Sequence, residues 1–162
     1  MTQNGTKTYR EQQILNATPA QQIVMLYDGA IGFCLKAKAA IGEGDIQERH
    51  NANRRAMEIV NYLLDILDIE KGGDVAKRLY LIYTGLIRKL MDVDFKNDPR
   101  VCDDVIENLR TLRTSWAELA ATPEGQGNAA PHAGTPAARV GVMPPKILKF
   151  EPEDKEAYRP LS

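Results

Sequence analysis

Four sets of helix-start and helix-stop residues divide most of this chain into amphipathic segments of about 20 residues. That punctuation restricts the fold more than any other feature. Thr18-Pro19-Ala20-Gln21 combines a capping box with proline at the first helical position. A periodic run from Gln21 to Ile41 follows, and Gly42-Glu43-Gly44 stops it. Asp45 caps a second helix that runs to about Leu67. Gly72-Gly73-Asp74 supplies a turn and a further cap, and the third helix is expected from Val75 to about Val93. Asp98-Pro99 opens a fourth, ending near Ala121. No segment alternates with period two for long enough to read as a convincing strand. Helices of this length joined by short loops pack as neighbours, so the expected fold is all-α: an antiparallel up-down four-helix bundle over residues 18–121. Residues 1–17 read as an N-terminal arm, with Thr8 to Asn16 forming a short helix or an ordered extension.

Residues 122–162 have a different composition. Seven of the nine prolines lie there, among glycine and alanine. Such a segment buries too little apolar surface to offset its ordering entropy, so a flexible tail is expected. One island in it is more apolar: Val140, Val142, Met143, Ile147, Leu148 and Phe150. It reads either as chance hydrophobics in a linker or as a segment that docks on the helices or on a partner.

The apolar arcs of the helices are wide. A bundle helix needs a stripe a little over 100°, whereas Val75, Leu79, Tyr80, Ile82, Tyr83, Leu86, Ile87, Leu90 and Met91 fill roughly 180° of the third. The first helix shows a similar excess, and so does the second through Ile59, Val60, Leu63, Leu64, Ile66 and Leu67. A well-filled core with a few exposed apolar residues accounts for this. Extra apolar grooves for a partner's helices are the second reading. Gly29 and Gly32 lie on the polar side of the first helix, where they would admit the arm or a bound helix.

Several function classes are disfavoured. The net charge of −1 gives no basic field for nucleic acid, and Arg54-Arg55 reads as a solvated helix face. Met1 to Arg10 lacks the apolar core of a secretory signal, and no run is long enough to insert in a membrane. Cys34 and Cys102 read as buried thiols in a reducing compartment, so a cytoplasmic protein is expected. No cofactor, metal site or catalytic residue is expected. The histidines His50 and His132 form no metal-binding pattern, there is no glycine-rich phosphate loop, and Asp103-Asp104 point about 100° apart on one helix.

Specific strings then say more than periodicity. Residues 9–33 read YREQQILNATPAQQIVMLYDGAIGF. This run resembles the start of the flagellin-specific export chaperones, the FliS family. The matching elements are Tyr9, Ala17-Thr18-Pro19 and Leu26-Tyr27-Asp28-Gly29-Ala30, then Gly72, Gly73, Val75 and Ala76, then the helix from Leu81 to Leu90, and Thr114-Ser115-Trp116 near the end. The resemblance covers about residues 5 to 121.

The resemblance implies a four-helix chaperone, not an enzyme. It would bind the C-terminal segment of flagellin, prevent premature polymerisation and deliver it to the export gate. Tyr9, with Ile14 and Leu15, is implied to form an arm that covers an apolar site and takes part in gate docking. Thr18, Pro19, Leu26, Tyr27, Asp28, Gly29, Gly72 and Gly73 carry the family signature. For the cargo surface the expectation is a set of exposed-edge residues: Ile59, Tyr62, Leu63, Ile66, Tyr80, Tyr83, Ile87 and Met91. Three departures stand out: Thr6 in place of an apolar residue, Thr84-Gly85 after Tyr83, and the long tail, to which no family role transfers. A general helical adaptor with another partner is the alternative, and a homodimer is left open.

Overall fold

A computed structural model describes residues 17–123. The expected arm (Tyr9, Ile14, Leu15) and the tail beyond Pro123 lie outside the described residues. The chain forms α1 (Pro19–Glu43), α2 (Ile46–Asp65), α3 (Ile69–Lys96) and α4 (Pro99–Ala120), packed together as an all-α structure.

The caps act as the residue types dictate. The Thr18 hydroxyl accepts from the Gln21 amide at 3.3 Å, and the Gln21 side chain accepts from the Thr18 amide at 2.9 Å. Gly44 adopts φ 70°, the left-handed conformation that closes α1 without a Cβ penalty. Asp45 accepts from the Glu48 amide and starts α2. Asp98 accepts from the Arg100 amide and starts α4, with Pro99 inside it.

Three boundaries differ from expectation. The α2 helix ends at Asp65, with Ile66 as its cap, short of Leu67. The α3 helix begins at Ile69 rather than Val75, because Asp68 accepts from the Lys71 amide and nucleates an earlier turn. Gly73 then breaks the helix at φ 55° and ψ −137°, so the Gly-Gly pair makes a kink within α3 instead of the loop before it. At the other end α3 continues past Val93 to Lys96, where Asn97 at φ 52° supplies a left-handed cap.

Ion pairs fix the helix directions. Asp28 and Lys38 on α1 meet Arg113 and Asp103 on α4 in reverse order, so these helices run oppositely. Arg49 and Asn53 on α2 meet Asp94 and Leu90 on α3, also in reverse order. The exposed α1–α4 pairs contribute little energy, and apolar burial carries the packing. Each helix packs on its neighbours in the chain, and α1 also packs extensively on α4, while α3 and α4 pack against each other least.

The α1 helix supplies the centre of the core through Ile23, Leu26, Tyr27, Ala30, Phe33 and Cys34. Leu63, Val60, Leu90, Val105 and Leu109 close round it from the other helices. A Cβ placed on Gly29 would lie 3.2 Å from Ile59 Cδ1. This glycine therefore accommodates α2, which corrects its reading as a landing place for the arm or a ligand helix. Gly85 differs, since a Cβ there meets nothing within 4 Å. Gly85→Ala is expected to stabilise the fold by about 0.5–1 kcal/mol, because a mid-helix glycine costs that much conformational entropy. A thermal melt should show a rise of a few degrees; a fall would mean that α3 needs its local looseness.

Tyr27 of α1 and Tyr83 of α3 share a buried hydroxyl–hydroxyl hydrogen bond, and Tyr27 is also bonded to Trp116 of α4. Burial pushes both tyrosine hydroxyls well above their ordinary value of 10.0. A raised folded-state value means that the stabilisation is complete below the unfolded value near 10 and is lost as pH rises beyond it. Alkaline titration is expected to release the tyrosinate absorbance of these two residues only as helical circular dichroism disappears. Their ionisation with the helices intact would show that water reaches the pair.

Candidate functional site

Much of the apolar excess predicted for α2 and α3 is core, and part of the remainder is gathered along one edge. On α3, Tyr80, Ile87, Met91 and Phe95 follow helical spacings of seven and four, which place them on one stripe. Tyr80, Met91 and Phe95 are exposed by 44%, 48% and 82%, and Ile87 is half-buried. Thr84 lies on the same stripe, its hydroxyl turned back to the Tyr80 carbonyl at 2.9 Å, so it presents mainly its methyl group.

The register set by Arg49–Asp94 and Asn53–Leu90 brings a matching row of α2 alongside: Ile46, Met57 and Leu64. Met57 and Leu64 are half-buried against the core, while Ile46 is 66% exposed. The two rows form an apolar edge along the α2/α3 pair. Such an edge fits the apolar face of a partner helix, which needs anchors at intervals of three to four residues.

One polar cluster interrupts the edge and holds it rigid. Asp94 Oδ1 accepts from Arg49 Nε at 3.2 Å, while Asp94 Oδ2 accepts from Asn53 Nδ2 at 3.1 Å and lies 3.1 Å from His50 Nδ1. Asn53 also donates to the Leu90 carbonyl at 2.7 Å, and Arg49 Nη1 donates to Asn97 Oδ1 at 2.7 Å. These bonds pin the start of α2 to the end of α3. They tie side chains to one another rather than converging on an open space, so the cluster offers no acid/base pair to a substrate.

The expected cargo residues separate into three groups. Tyr80, Ile87 and Met91 come together on the edge. Tyr62 is half-buried but sits one turn from Ile59, on the side of α2 that faces α1, and burial pushes its hydroxyl up to about 12. Ile59, Leu63, Ile66 and Tyr83 are at most 4% exposed and belong to the core, which corrects their placement on an exposed edge. Their helical phase is central to the buried arc, and a wheel cannot distinguish the middle of an arc from its rim without the neighbouring helices. Sequence reasoning missed Ile46, Met57, Leu64 and Phe95. Phe95 continues the Tyr80–Met91 stripe one turn further, a signal hidden by ending the helix at Val93.

The signature residues have structural work. Thr18 and Pro19 cap α1, Leu26 and Tyr27 are buried, and Asp28 pairs with Arg113. Gly29 admits Ile59, and Gly73, following Gly72, kinks α3. Arg54 and Arg55 both bond to Glu58 on α2. Both cysteines are free and buried. Among the described residues no cluster of histidine, cysteine and carboxylates could hold a metal, and no helix is long and apolar enough to cross a membrane. A depression of about 540 Å³ lies where α1 begins and α4 ends, lined by Ala17, Gln21, Val24, Met25, Ala117, Ala120 and Ala121. Its lining is almost wholly small and apolar, so it has no chemistry beyond packing.

Comparison with known proteins identifies the family. The family model described as flagellar protein FliS matches residues 1–123. The chain is 33% identical over 109 residues to the flagellar secretion chaperone FliS of Vibrio cholerae, covering 67% of this chain and 80% of that one. It is 35% identical over 111 residues to the protein of the same name from Campylobacter jejuni, covering 68% of this chain and 87% of that one. With the Salmonella typhimurium protein of that name the identity is 32% over 123 residues, covering 73% and 91%. The chain belongs to the FliS family of flagellar secretion chaperones, which are not enzymes.

Proposed function

We propose that this protein holds the C-terminal segment of newly made flagellin on its α2/α3 edge in the cytoplasm, prevents premature polymerisation and delivers it to the flagellar export gate. The observation that carries the reading is the apolar edge formed by exposed Tyr80, Met91, Phe95 and Ile46 with half-buried Ile87, Met57 and Leu64. An exposed row of this length in a secretion chaperone needs a partner, and an amphipathic helix is the partner that its spacing fits. The mechanism is binding without chemistry: a flagellin segment that is disordered alone pays ordering entropy as it folds on the edge, and apolar contacts offset that cost.

Tyr9, Ile14 and Leu15 complete the proposal as an arm that shields apolar surface while cargo is absent and contributes to gate docking once cargo displaces it. That is a shift between two populations driven by the cargo's own contacts. Up-down packing of all four helices suits this role, because it leaves the long flank of α3 open to a second chain.

Calorimetric titration of the full chain with the C-terminal segment of flagellin from the same cell tests the reading. One-to-one binding with a large negative heat-capacity change is the expected result. Absence of binding by a folded protein would transfer the edge to a different helical partner, as a general adaptor would require.

A further inference from the structure

A second apolar channel lies on the other flank of α3, and it is independent of the cargo reading. Lys89 of α3 lies 3.9 Å from Asp104 of α4, which marks where these two helices face each other. Stepping back along α3 from Lys89 by helical repeats reaches Ile82, Arg78 and Val75. Ile82 and Val75 are 37% and 47% exposed. Across from them on α4, Leu112 and Leu119 are only half-buried. The channel is open because α3 and α4 pack less closely than any other neighbouring pair. Its α3 rim is basic: Arg78 is exposed and has no acidic partner among the described residues. Its α4 rim carries Asp104, which faces Lys89, and then the neutral Asn108 and Ser115.

The chain carries a segment with the complementary chemistry. Ile147, Leu148 and Phe150 are followed by Glu151, Glu153, Asp154 and Glu156, so four acidic residues stand against Lys149 and Lys155 in the segment. This apolar-then-acidic order matches an apolar floor beside a basic rim. Reach is sufficient as well. The α4 helix ends at Ala120 beside the Val75 end of the channel, and residues 124–146 intervene. A stretch of that length spans roughly 25–30 Å even at coil dimensions. The channel from Val75 to Lys89 is about 21 Å long at the helical rise.

We propose that residues Ile147–Glu156 of this chain dock in the α3/α4 channel, with Ile147, Leu148 and Phe150 against Val75, Ile82, Leu112 and Leu119 and the acidic residues toward Arg78. The occupant is the protein's own C-terminal segment. Docking removes from water an apolar surface on the flank that the cargo edge does not use, and it makes the tail a conditional part of the fold.

Limited trypsin digestion of the full chain tests this, because Lys149 lies inside the docking segment and Arg139 lies before it. Leu148→Asp alters only the tail, and Arg78→Glu alters only an exposed rim residue. In each variant, and in the wild type at high salt, cleavage after Lys149 is expected to accelerate about tenfold while cleavage after Arg139 stays unchanged, since cleavage tracks the undocked population. Equal cleavage at the two sites in wild type and variants would overturn the proposal. Sensitivity to Leu148→Asp without sensitivity to Arg78→Glu or salt would also overturn it, by placing the segment elsewhere. Protection that vanishes on dilution would do the same, by assigning the channel to a second copy's tail.

Discussion

Leu63→Ala is expected to cost about 2–5 kcal/mol of stability and to leave flagellin affinity unchanged wherever the variant is folded. Leu63 is 0% exposed and lies in the central cluster with Tyr27, Ile59, Val60 and Tyr83. Truncation there loses the transfer energy of three carbons and leaves a cavity that rigid helices only partly refill. For a helical unit of this size the melting midpoint should fall by at least about 10 °C. The affinity measurement separates two readings of the same residue. The expected cargo surface makes Leu63 an edge residue of a groove, whereas its burial makes it part of the floor on which the helices rest. A variant of unaltered stability with weakened cargo binding would return Leu63 to the groove. Denaturant unfolding and calorimetry on one preparation decide between them.

The difference between those readings shows what a helical sequence discloses. Caps are local: Thr18 with Gln21, Gly44, Asp45 and Asp98 bond within a turn of themselves, so their positions could be read without neighbours. The four segments and the short loop at Gly44 followed from them, whereas the later end of α3 at the left-handed Asn97 did not. The start of α3 was less legible, because Gly72-Gly73 signals a break without saying whether helix precedes it, and the Asp68 cap that adds the earlier turn competes with the stronger glycine signal. Which flank of a wide apolar arc meets another helix is a tertiary fact. In α3 it was settled by Asn53 and Arg49 reaching Leu90 and Asp94, contacts between residues far apart in the chain. Tyr83 and Tyr80 look alike on a wheel, yet one is hydrogen-bonded in the core and the other is exposed on the edge. Family strings identified the kind of protein, but most of the residues that carry them hold the helices together.

The double variant Met91→Gln with Phe95→Gln is expected to do the reverse of Leu63→Ala: stability barely changed, flagellin affinity reduced about 30- to 100-fold. Both side chains are exposed, at 48% and 82%, so the core loses little when they are replaced. Glutamine has nearly the helix propensity of methionine and exceeds phenylalanine, so α3 keeps its length to the Asn97 cap. It also adds no charge beside Asp92 and Asp94, which keeps the comparison free of a repulsion that has nothing to do with cargo. What the variant removes is apolar area at the end of the edge where Ile46 and Phe95 both stand exposed. A helix folding along the edge would use these as terminal anchors, and losing one side chain of this size that a partner buries costs on the order of 1–3 kcal/mol. The loss should be accompanied by a smaller heat-capacity change, since less apolar surface leaves water on binding. Unchanged affinity with an unchanged heat-capacity term would remove the Met91–Phe95 end from the cargo site and confine binding to the Tyr80–Leu64 end. Lost affinity together with a lower melting point would mean that the α3 terminus had frayed, and Met91→Gln alone, one turn further from the cap, would then show whether the contact or the fraying is responsible.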